Sequence, residues 1–240
     1  MTEPPVKLRT VQFRYGADNL GYLIRRKKFA VAVDGGAVAD ILSYLEKNDL
    51  ILSYVTNTHS HSDHTCGNEE LLQRTGAEFI PVTELPGRGS IDIEGREIRV
   101  ISTPGHTADS VCFHHGSDLL TGDTLFNGKV GRCFTGDAES FFASIEKILS
   151  LPDGTSIYAG HDYLLEYLET AEKLEPENQL ICIYQEAYKP GEVLCATLGW
   201  EKKVNPFIRY NQPCIIKLLN HLGLPTGTDF ERFSSMLTLM

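Results

Sequence analysis

Over the first two thirds of the chain, short apolar runs rich in β-branched residues alternate with segments of helical periodicity. Strands are predicted over residues 6–13, 21–24, 29–33, 50–55, 78–82, 91–93, 98–101, 111–114, 118–120 and 156–159. Helices are predicted over residues 37–48, 68–75 and 140–149. Because strands that interleave with helices build layered α/β structures, we expect two sheets packed face to face with helices outside.

The pattern becomes helical after residue 161. Helices are predicted over residues 164–174, 177–188, 214–222 and 229–239. Acidic residues spaced three to four apart predict a solvated face on the first of these helices; they are Asp162, Glu166, Glu169, Glu172 and Glu175. We therefore divide the chain into an α/β domain over residues 1–170 and a helical region over residues 171–240, which is too small to fold alone.

The composition restricts the partners of the chain. A net charge of -10 disfavours nucleic acid, whose binding depends on lysine and arginine that neutralise phosphates. No apolar run reaches the roughly 18 residues of a membrane helix, and MTEPPVKLRT lacks the order of a signal peptide. We expect a cytoplasmic protein that binds neither nucleic acid nor membrane, and the oligomeric state stays open.

The most informative segment is HSHSDH, which begins at His59 directly after an apolar strand. Residues two apart in an extended segment point to the same side, so His59 and His61 can hold one metal ion. The turn into the next helix lets Asp63 and His64 face a second ion. A surface loop that is rich in histidine by chance is the alternative, but such spacing is rare outside metal sites. The segment therefore predicts two neighbouring metal sites.

Three later strands also end at a potential ligand, namely His106, Asp123 and His161. Each alone is more typical of a turn-capping residue. Together they complete two sites: His59, His61 and His106 on one ion, Asp63, His64 and His161 on the other, and Asp123 as a bridging carboxylate. This set leaves coordination positions open for water, which is typical of catalytic rather than structural metal sites.

The elements HxHxDH, GHT, GDT and GH, in this order, resemble those of the metallo-β-lactamase-fold hydrolases. Five further segments are similar to glyoxalase II, the hydroxyacylglutathione hydrolases: TGDTLF from residue 121, GRCF from 131, HDY from 161, EPEN from 175 and NPFIR from 205. The resemblance implies an αβ/βα sandwich with a C-terminal helical extension. Residues 1–170 would form the catalytic domain and residues 171–240 a helical substrate-binding region.

The resemblance also carries roles onto individual residues. It implies that the metal ligands are His59, His61, Asp63, His64, His106, Asp123 and His161. It also implies that Arg132, Tyr163 and Arg209 contact glutathione. The implied cofactor is a pair of divalent ions, with zinc expected and iron or manganese possible. Ala108-Asp109 stands where the family frequently has Pro-Gly, which adds a carboxylate beside the site.

The implied reaction is hydrolysis of the thioester S-D-lactoylglutathione to D-lactate and glutathione. Metal binding lowers the pKa of water from about 16 to about 7, so a bridging hydroxide could attack the thioester carbonyl. Asp63, which orients this hydroxide, and Asp123 are the predicted catalytic residues. A thiolate leaves without prior protonation, so no separate general acid is needed. The alternatives are a persulfide dioxygenase, a lactonase of the same fold, and a metal-bound interaction module without turnover.

Overall fold

A computed structural model describes residues 7–240, in which two mixed sheets pack against each other. The first sheet contains, in spatial order, β1 (Arg9–Tyr15), β2 (Asn19–Arg26), β3 (Phe29–Val33), β4 (Ile51–Thr56) and β5 (Glu78–Phe79). Strands β1 to β3 are antiparallel, whereas β3, β4 and β5 run parallel. The parallel part brings the end of β4 to the same edge as the end of β3.

The second sheet is antiparallel except for one pair. It contains β6 (Ser90–Asp92), β7 (Glu97–Ser102), β8 (Val111–His115), β9 (Asp118–Gly122), β10 (Ser156–Ala159) and β11 (Ala196–Thr197), in the reverse order across the sheet. Strands β9 and β10 are parallel. As a result, β7, β9 and β10 all end at the same edge of this sheet.

Helices surround the two sheets. They are α1 (Val38–Lys47), α2 (Ser62–Thr65), α3 (Asn68–Thr75), α4 (Leu85–Arg88), α5 (Ala138–Leu149), α6 (Leu164–Leu174), α7 (Gln179–Ala187), α8 (Leu198–Val204), α9 (Pro213–His221) and α10 (Asp229–Leu237). Helices α1 and α3 pack on the first sheet through Ile41 and Leu71. Helices α5 and α10 pack on the second sheet through Phe141 and Phe233. The predicted αβ/βα layering is confirmed.

Strand periodicity explains how one strand serves two hydrophobic layers. In β2, Leu20, Tyr22 and Ile24 face the core between the sheets, where they meet Phe113 of β8. Leu23, which points the opposite way, packs under α1. Successive side chains of a strand face opposite sides, so an almost fully apolar strand such as β2 is buried on both faces.

Several sequence predictions need correction. The strand expected over residues 78–82 ends at Phe79, because Pro81 has no backbone donor and a 3₁₀ turn follows at Val82–Glu84. Helix α8 was not predicted; Thr197 caps it by accepting a hydrogen bond from the Trp200 amide. Val6, predicted to begin the first strand, lies outside the described residues.

The acidic face predicted along α6 is wrong at both ends. Glu175 is 4% exposed and forms an ion pair with Arg209. The carboxylate of Asp162 is paired with Arg14. Both partners are remote in sequence, which the local spacing of acidic residues could not reveal. Glu166, Glu169 and Glu172 are exposed as expected.

The C-terminal helices share their packing with the sandwich. Ile181 and Tyr184 of α7 belong to the same buried cluster as the strands of both sheets. The boundary at residues 170 and 171 therefore stays a prediction. Within residues 7–240, no helix is both long and apolar enough to cross a lipid bilayer.

Candidate metal centre

All seven predicted ligands lie at one edge of the sandwich, where strands of both sheets end. The HSHSDH segment follows β4 of the first sheet and continues into α2. His106 follows β7, Asp123 follows β9 and His161 follows β10, all in the second sheet. Because loops at the ends of parallel strands open on the same side, residues more than 100 positions apart meet there.

The first group of side chains brings three imidazoles together. The Nδ1 atom of His61 lies 2.9 Å from Nε2 of His59 and 3.1 Å from Nε2 of His106. An oxygen of Asp123 lies 3.4 Å from Nε2 of His106. Nitrogens that surround one zinc ion tetrahedrally lie about 3.3 Å apart, so this spacing fits a single ion held by the group.

The second group faces the first across Asp123. The Nε2 atoms of His64 and His161 are 3.2 Å apart, and Oδ2 of Asp63 lies 3.3 Å from that of His161. Asp123 approaches His64 through Oδ1 at 3.4 Å and His161 through Oδ2 at 3.5 Å. Its carboxylate thus contacts both groups, as expected for a ligand that two ions share.

The donor chemistry of the centre fits divalent ions. Five imidazoles and two carboxylates converge, and their ligand atoms form two groups in which all lie within 4.8 Å of one another. Oδ1 of Asp123 is buried and accepts no hydrogen bond from residues 7–240. A buried carboxylate oxygen without a donor requires another positive partner, which a metal ion supplies.

The electrostatics favour metal-binding forms in the first group. Burial lowers the pKa of His59 to about 4 and also lowers that of His106, so both imidazoles are neutral at pH 7. Neutral imidazole is the form that coordinates metals. Burial would likewise lower the pKa of His64, but Asp34 and Asp123 raise it to about 11. Burial opposes ionisation of Asp123, yet His161 and His64 hold its pKa well below the usual range.

A set of oxygen atoms behind the histidines orients their rings. Oδ2 of Asp34 lies 3.0 Å from Nδ1 of His64, and Oδ1 of Asp18 lies 2.7 Å from Nδ1 of His161. The carbonyl oxygen of Arg132 lies 2.9 Å from Nδ1 of His106. An acceptor at Nδ1 fixes the tautomer that leaves Nε2 free for the metal.

Sequence reasoning missed Asp34 and Asp18. The sequence Asp34-Gly35-Gly36 is typical of a turn, and the positive φ of 53° at Asp34 agrees with one, so the turn pattern indicates no further role for this carboxylate. The signal that could have identified it is the one used for Asp123, an acidic residue directly after an apolar strand. Asn19, also missed, donates from Nδ2 to Oδ2 of Asp63 at 2.9 Å.

Comparison with known proteins decides the family. A family model described as the metallo-beta-lactamase superfamily matches residues 18–87 and 76–161. The chain belongs to the metallo-beta-lactamase superfamily. It is 33% identical to the hydroxyacylglutathione hydrolase of Chromohalobacter salexigens, with 86% of this chain and 88% of the relative covered. It is 35% identical to the hydroxyacylglutathione hydrolase of Vibrio cholerae serotype O1, with 83% and 86% covered.

Solved structures show the same superfamily fold. ETHE1 from Myxococcus xanthus matches with a TM-score of 0.67 and 24% identity, over 96% of this chain and 89% of that protein. A metallo-beta-lactamase from Staphylococcus aureus matches with a TM-score of 0.64 and 21% identity, over 98% and 72%. At this identity the likeness concerns the fold alone.

Two of the three predicted glutathione contacts lie beside this superfamily centre. The ring of Tyr163 is stacked on that of His161, with centroids 4.8 Å apart and an angle of 6° between the planes. Arg132 places its guanidinium 5.2 Å from the ring of Phe134. That ring lies 5.2 Å from the ring of His106, at the edge of the first group. Both residues therefore lie beside the two groups of potential ligands, and their contact with glutathione stays a prediction.

Arg209 does not join the metal centre. Its guanidinium donates to both carboxylate oxygens of Glu175, at 2.8 and 3.0 Å, and to the carbonyl of Lys202 at 3.1 Å. Glu175 is the C-cap of α6 and Tyr163 its N-cap, and 11 residues of helix span about 16 Å. These bonds anchor Arg209 at the far end of α6. Its contact with glutathione stays a prediction.

Proposed function

We propose that this chain hydrolyses glutathione thioesters, with S-D-lactoylglutathione as the substrate, to give D-lactate and glutathione. The relatives that cover most of the chain are hydroxyacylglutathione hydrolases, which supports the reaction class. The observation that carries the proposal is the Asp123 carboxylate, which touches both groups of potential ligands. A shared carboxylate between two adjacent sites is suited to binuclear hydrolysis.

The residues of the two groups divide the proposed ligation between them. His59, His61 and His106 would hold one ion; Asp63, His64 and His161 would hold the other; Asp123 would bind both. The ions we propose are divalent, with zinc preferred because imidazole and carboxylate are its common ligands. When bound, such a pair supplies water of lowered pKa and positive charge that polarises a carbonyl group.

Asp63 differs from Asp123 in exposure, which supports a different task. The side chain of Asp63 is 46% exposed, whereas that of Asp123 is 9% exposed. Asn19 donates to one oxygen of Asp63 and thereby fixes the direction of the carboxylate. In our proposal Asp63 orients the attacking hydroxide, and Asp123 acts catalytically by holding both ligand groups together. Burial also opposes ionisation of Asp63, but Asn19 and His64 keep its pKa below the usual value.

Residues around the opening would position the substrate. Phe134 is 58% exposed and its ring contacts the rings of His61 and His106, so it offers an apolar wall to the acyl group. Arg132 and Tyr163 flank the same opening and would contact the glutathione part. We also propose a cytoplasmic location, which agrees with six cysteines that are free thiols in the described chain.

The decisive experiment combines metal analysis with release of free thiol from S-D-lactoylglutathione. We expect two ions per chain in the parent protein. Asp123→Ala should lose at least one ion and lower kcat/KM by about a thousandfold or more, because the carboxylate of Asp123 lies within 3.5 Å of ligand nitrogens in both groups. Asp40→Ala, which alters an exposed carboxylate on α1, is the matched control. A variant at Asp123 that keeps both ions and its rate would refute the bridging role. A parent protein with one iron per chain that consumes oxygen on glutathione persulfide, without hydrolysis, would refute the function.

A further inference from the structure

The tip of the β1–β2 hairpin lies against the second group of potential ligands. Tyr15, the last residue of β1, pairs with Asn19, the first residue of β2. Asn19 also forms a β-bridge with His161. The Leu20 amide donates to the carbonyl of Gly160 at 2.8 Å. The hairpin belongs to the first sheet, but its tip is therefore fixed to the ligand loop that follows β10 of the second sheet.

Tyr15 presents its hydroxyl to a ligand of this group. The hydroxyl donates to the main-chain carbonyl of Asp63 at 3.0 Å. The ring lies directly on Gly36, where a Cβ atom would come 2.1 Å from Cε2 of Tyr15. Burial and the charge of Asp34 raise the pKa of Tyr15, so the hydroxyl stays protonated and able to donate. The ring of Tyr15 is thus held by packing while its hydroxyl is bonded to Asp63.

The segment that contains Asp63 needs support from outside. Helix α2 has only four residues, and so short a helix is not stable by itself. Asn57, directly after β4, donates from Nδ2 to the carbonyl of His64 at 2.7 Å. Tyr15 donates in the same way to the carbonyl of Asp63. Two side chains from outside the helix therefore fix the main chain of two adjacent ligands.

A second donor to the Asp63 carbonyl is Cys66, whose Sγ lies 3.2 Å away. A thiol is a weak hydrogen-bond donor. Cys66 also directly follows α2, so it moves with this helix and does not connect it to the hairpin. Within residues 7–240, Tyr15 is the side chain that links this carbonyl to another element of the fold.

The carboxylate of Asp63 is held by the same hairpin. Nδ2 of Asn19 donates to its Oδ2 at 2.9 Å. Because Asn19 and Tyr15 pair across the hairpin, both bonds to Asp63 come from one unit of the fold. The Asp63 side chain is exposed, and an exposed side chain has little packing to restrict its rotamers. Its direction therefore depends on these two hydrogen bonds.

We propose that Tyr15 is a positioning residue for the metal centre. Its hydroxyl fixes the main chain of Asp63, so that the carboxylate held by Asn19 keeps its place 3.3 Å from Nε2 of His161. The expected effect on rate rests on the proposed function, whereas the effect on metal binding does not. Loss of the hydroxyl leaves the ligand set complete but lets Asp63 move relative to the other ligands.

Tyr15→Phe is the direct test, because Phe keeps the ring on Gly36 and removes the hydroxyl. The affinity for one of two Zn²⁺ ions, measured by competition with a chelator, should fall about three- to tenfold, which is the contribution of one hydrogen bond. The kcat for S-D-lactoylglutathione should fall by a similar factor. KM should stay within about twofold of the parent value, because Tyr15 contacts a ligand and not the substrate.

Tyr44→Phe is the matched control. Tyr44 is half-buried in the same hydrophobic layer as Tyr15, and its hydroxyl accepts a hydrogen bond from Nη1 of Arg25 at 3.3 Å. Arg25 lies near the opposite end of β2 from Asn19, about 20 Å away. Metal affinity, kcat and KM of this variant should therefore equal those of the parent.

A merely structural hydroxyl gives a different result. It would lower the free energy of unfolding of the metal-free protein and leave metal affinity and kcat unchanged. Urea denaturation of the metal-free parent, Tyr15→Phe and Tyr44→Phe separates the two roles. Metal affinity and kcat that fall in Tyr15→Phe but not in Tyr44→Phe support positioning. Parent values of both in Tyr15→Phe, whatever its stability, would overturn the proposal.

Asp63→Ala tests whether Tyr15 acts through Asp63. In this background, Tyr15→Phe should cause no further loss of Zn²⁺ affinity, because the carboxylate that the hydroxyl positions is absent. The same loss in both backgrounds would show that the hydroxyl acts independently of Asp63, and the positioning role would then be wrong.

Zinc binding is measured without substrate, so failure of this inference can be told from failure of the proposed function. If S-D-lactoylglutathione is not hydrolysed and Tyr15→Phe still binds Zn²⁺ more weakly than the parent, the positioning role stands and the proposed function fails. If the thioester is hydrolysed and Tyr15→Phe equals the parent in Zn²⁺ affinity and kcat, the proposed function stands and the positioning role is wrong.

Discussion

Oδ2 of Asp34 lies 3.0 Å from Nδ1 of His64, and neither side chain is exposed to solvent. Asp34 is itself held by hydrogen bonds from the backbone amide and hydroxyl of Thr58, both at 2.8 Å. This chain of contacts aims Nε2 of His64 at Asp123. The position of one metal ligand therefore depends on a carboxylate that does not reach the centre.

Asp34→Asn should lower metal affinity without unfolding the protein. Asn tolerates the left-handed backbone at this position, but its amide cannot accept from His64 and from both Thr58 donors at once. We expect a 10- to 100-fold loss of affinity at the second group, about what such outer contacts contribute. Competition with a chelator would measure it. Asp49→Asn, at another left-handed but exposed position, should behave like the parent; equal affinities for both variants would contradict the prediction.

Gly160→Ala should disrupt the centre sterically. A Cβ atom at Gly160 would lie 2.1 Å from Oδ1 of Asp123 and 2.8 Å from Cε1 of His64, so the ligands must shift. We expect loss of bound metal and a fall in activity of about a hundredfold or more, because small misplacements at a reacting centre have such effects. Gly154→Ala is the control, since nothing lies within 4 Å of its Cβ position. Full metal content in Gly160→Ala would show that the ligands adjust at little cost.

Glu201→Gln should change how stability depends on pH. Glu201 is fully buried in α8, where it accepts hydrogen bonds from the Gly128 amide and the Asn127 side chain, and burial raises its pKa to about 7. The folded protein then binds this proton more tightly than the unfolded chain, so stability falls as pH rises from about 4.5 to 7. The difference reaches about 3 kcal/mol at most.

Urea denaturation of both proteins at pH 5 and pH 8 would measure this effect. Gln does not titrate, but it cannot accept from the Gly128 amide through its nitrogen. We therefore expect the variant to be less stable than the parent at pH 5 and to gain relative to it at pH 8. Comparing the two proteins at each pH cancels the contribution of metal binding. A difference in stability that is independent of pH would contradict the raised pKa.

Arg209→Met should destabilise the fold. The Glu175 side chain is 2% exposed, so removing Arg209 leaves a buried carboxylate without its partner, at a cost of about 3–5 kcal/mol. The double variant Arg209→Met with Glu175→Met removes both charges and should recover most of this loss, as urea denaturation would show. A raised KM for S-D-lactoylglutathione in the double variant would support the predicted glutathione contact. A single variant as stable as the parent would contradict the anchoring role.

The ligand set could be predicted because each ligand lies in a short polar segment that closely follows an apolar run. Local sequence identifies His59, His106, Asp123 and His161 as candidate ligands. The order of the strands in the two sheets then brings them together. The layered fold was predictable for the same reason, since hydrophobic periodicity is a local property. Element ends were less predictable, as the early end of β5 before Pro81 shows.

Contacts between distant polar residues could not be predicted in this way. Asp18 meets His161 across 143 positions of sequence, and Glu201 meets Asn127 across 74. Nothing in the neighbouring residues distinguishes these acidic side chains from solvated ones. Glu175 was assigned to a solvated face for that reason, although its side chain is buried and paired with Arg209. Their roles depend on packing that only the assembled fold defines.

The separate origin of the ligand loops has a mechanical consequence. A strand of the first sheet is followed by His59, His61 and His64. Strands of the second sheet are followed by His106, Asp123 and His161. Metal binding at this edge therefore depends on the alignment of the two sheets. A core substitution far from this edge could shift one sheet against the other by a fraction of an ångström. Such a variant would lose metal affinity before its melting temperature fell.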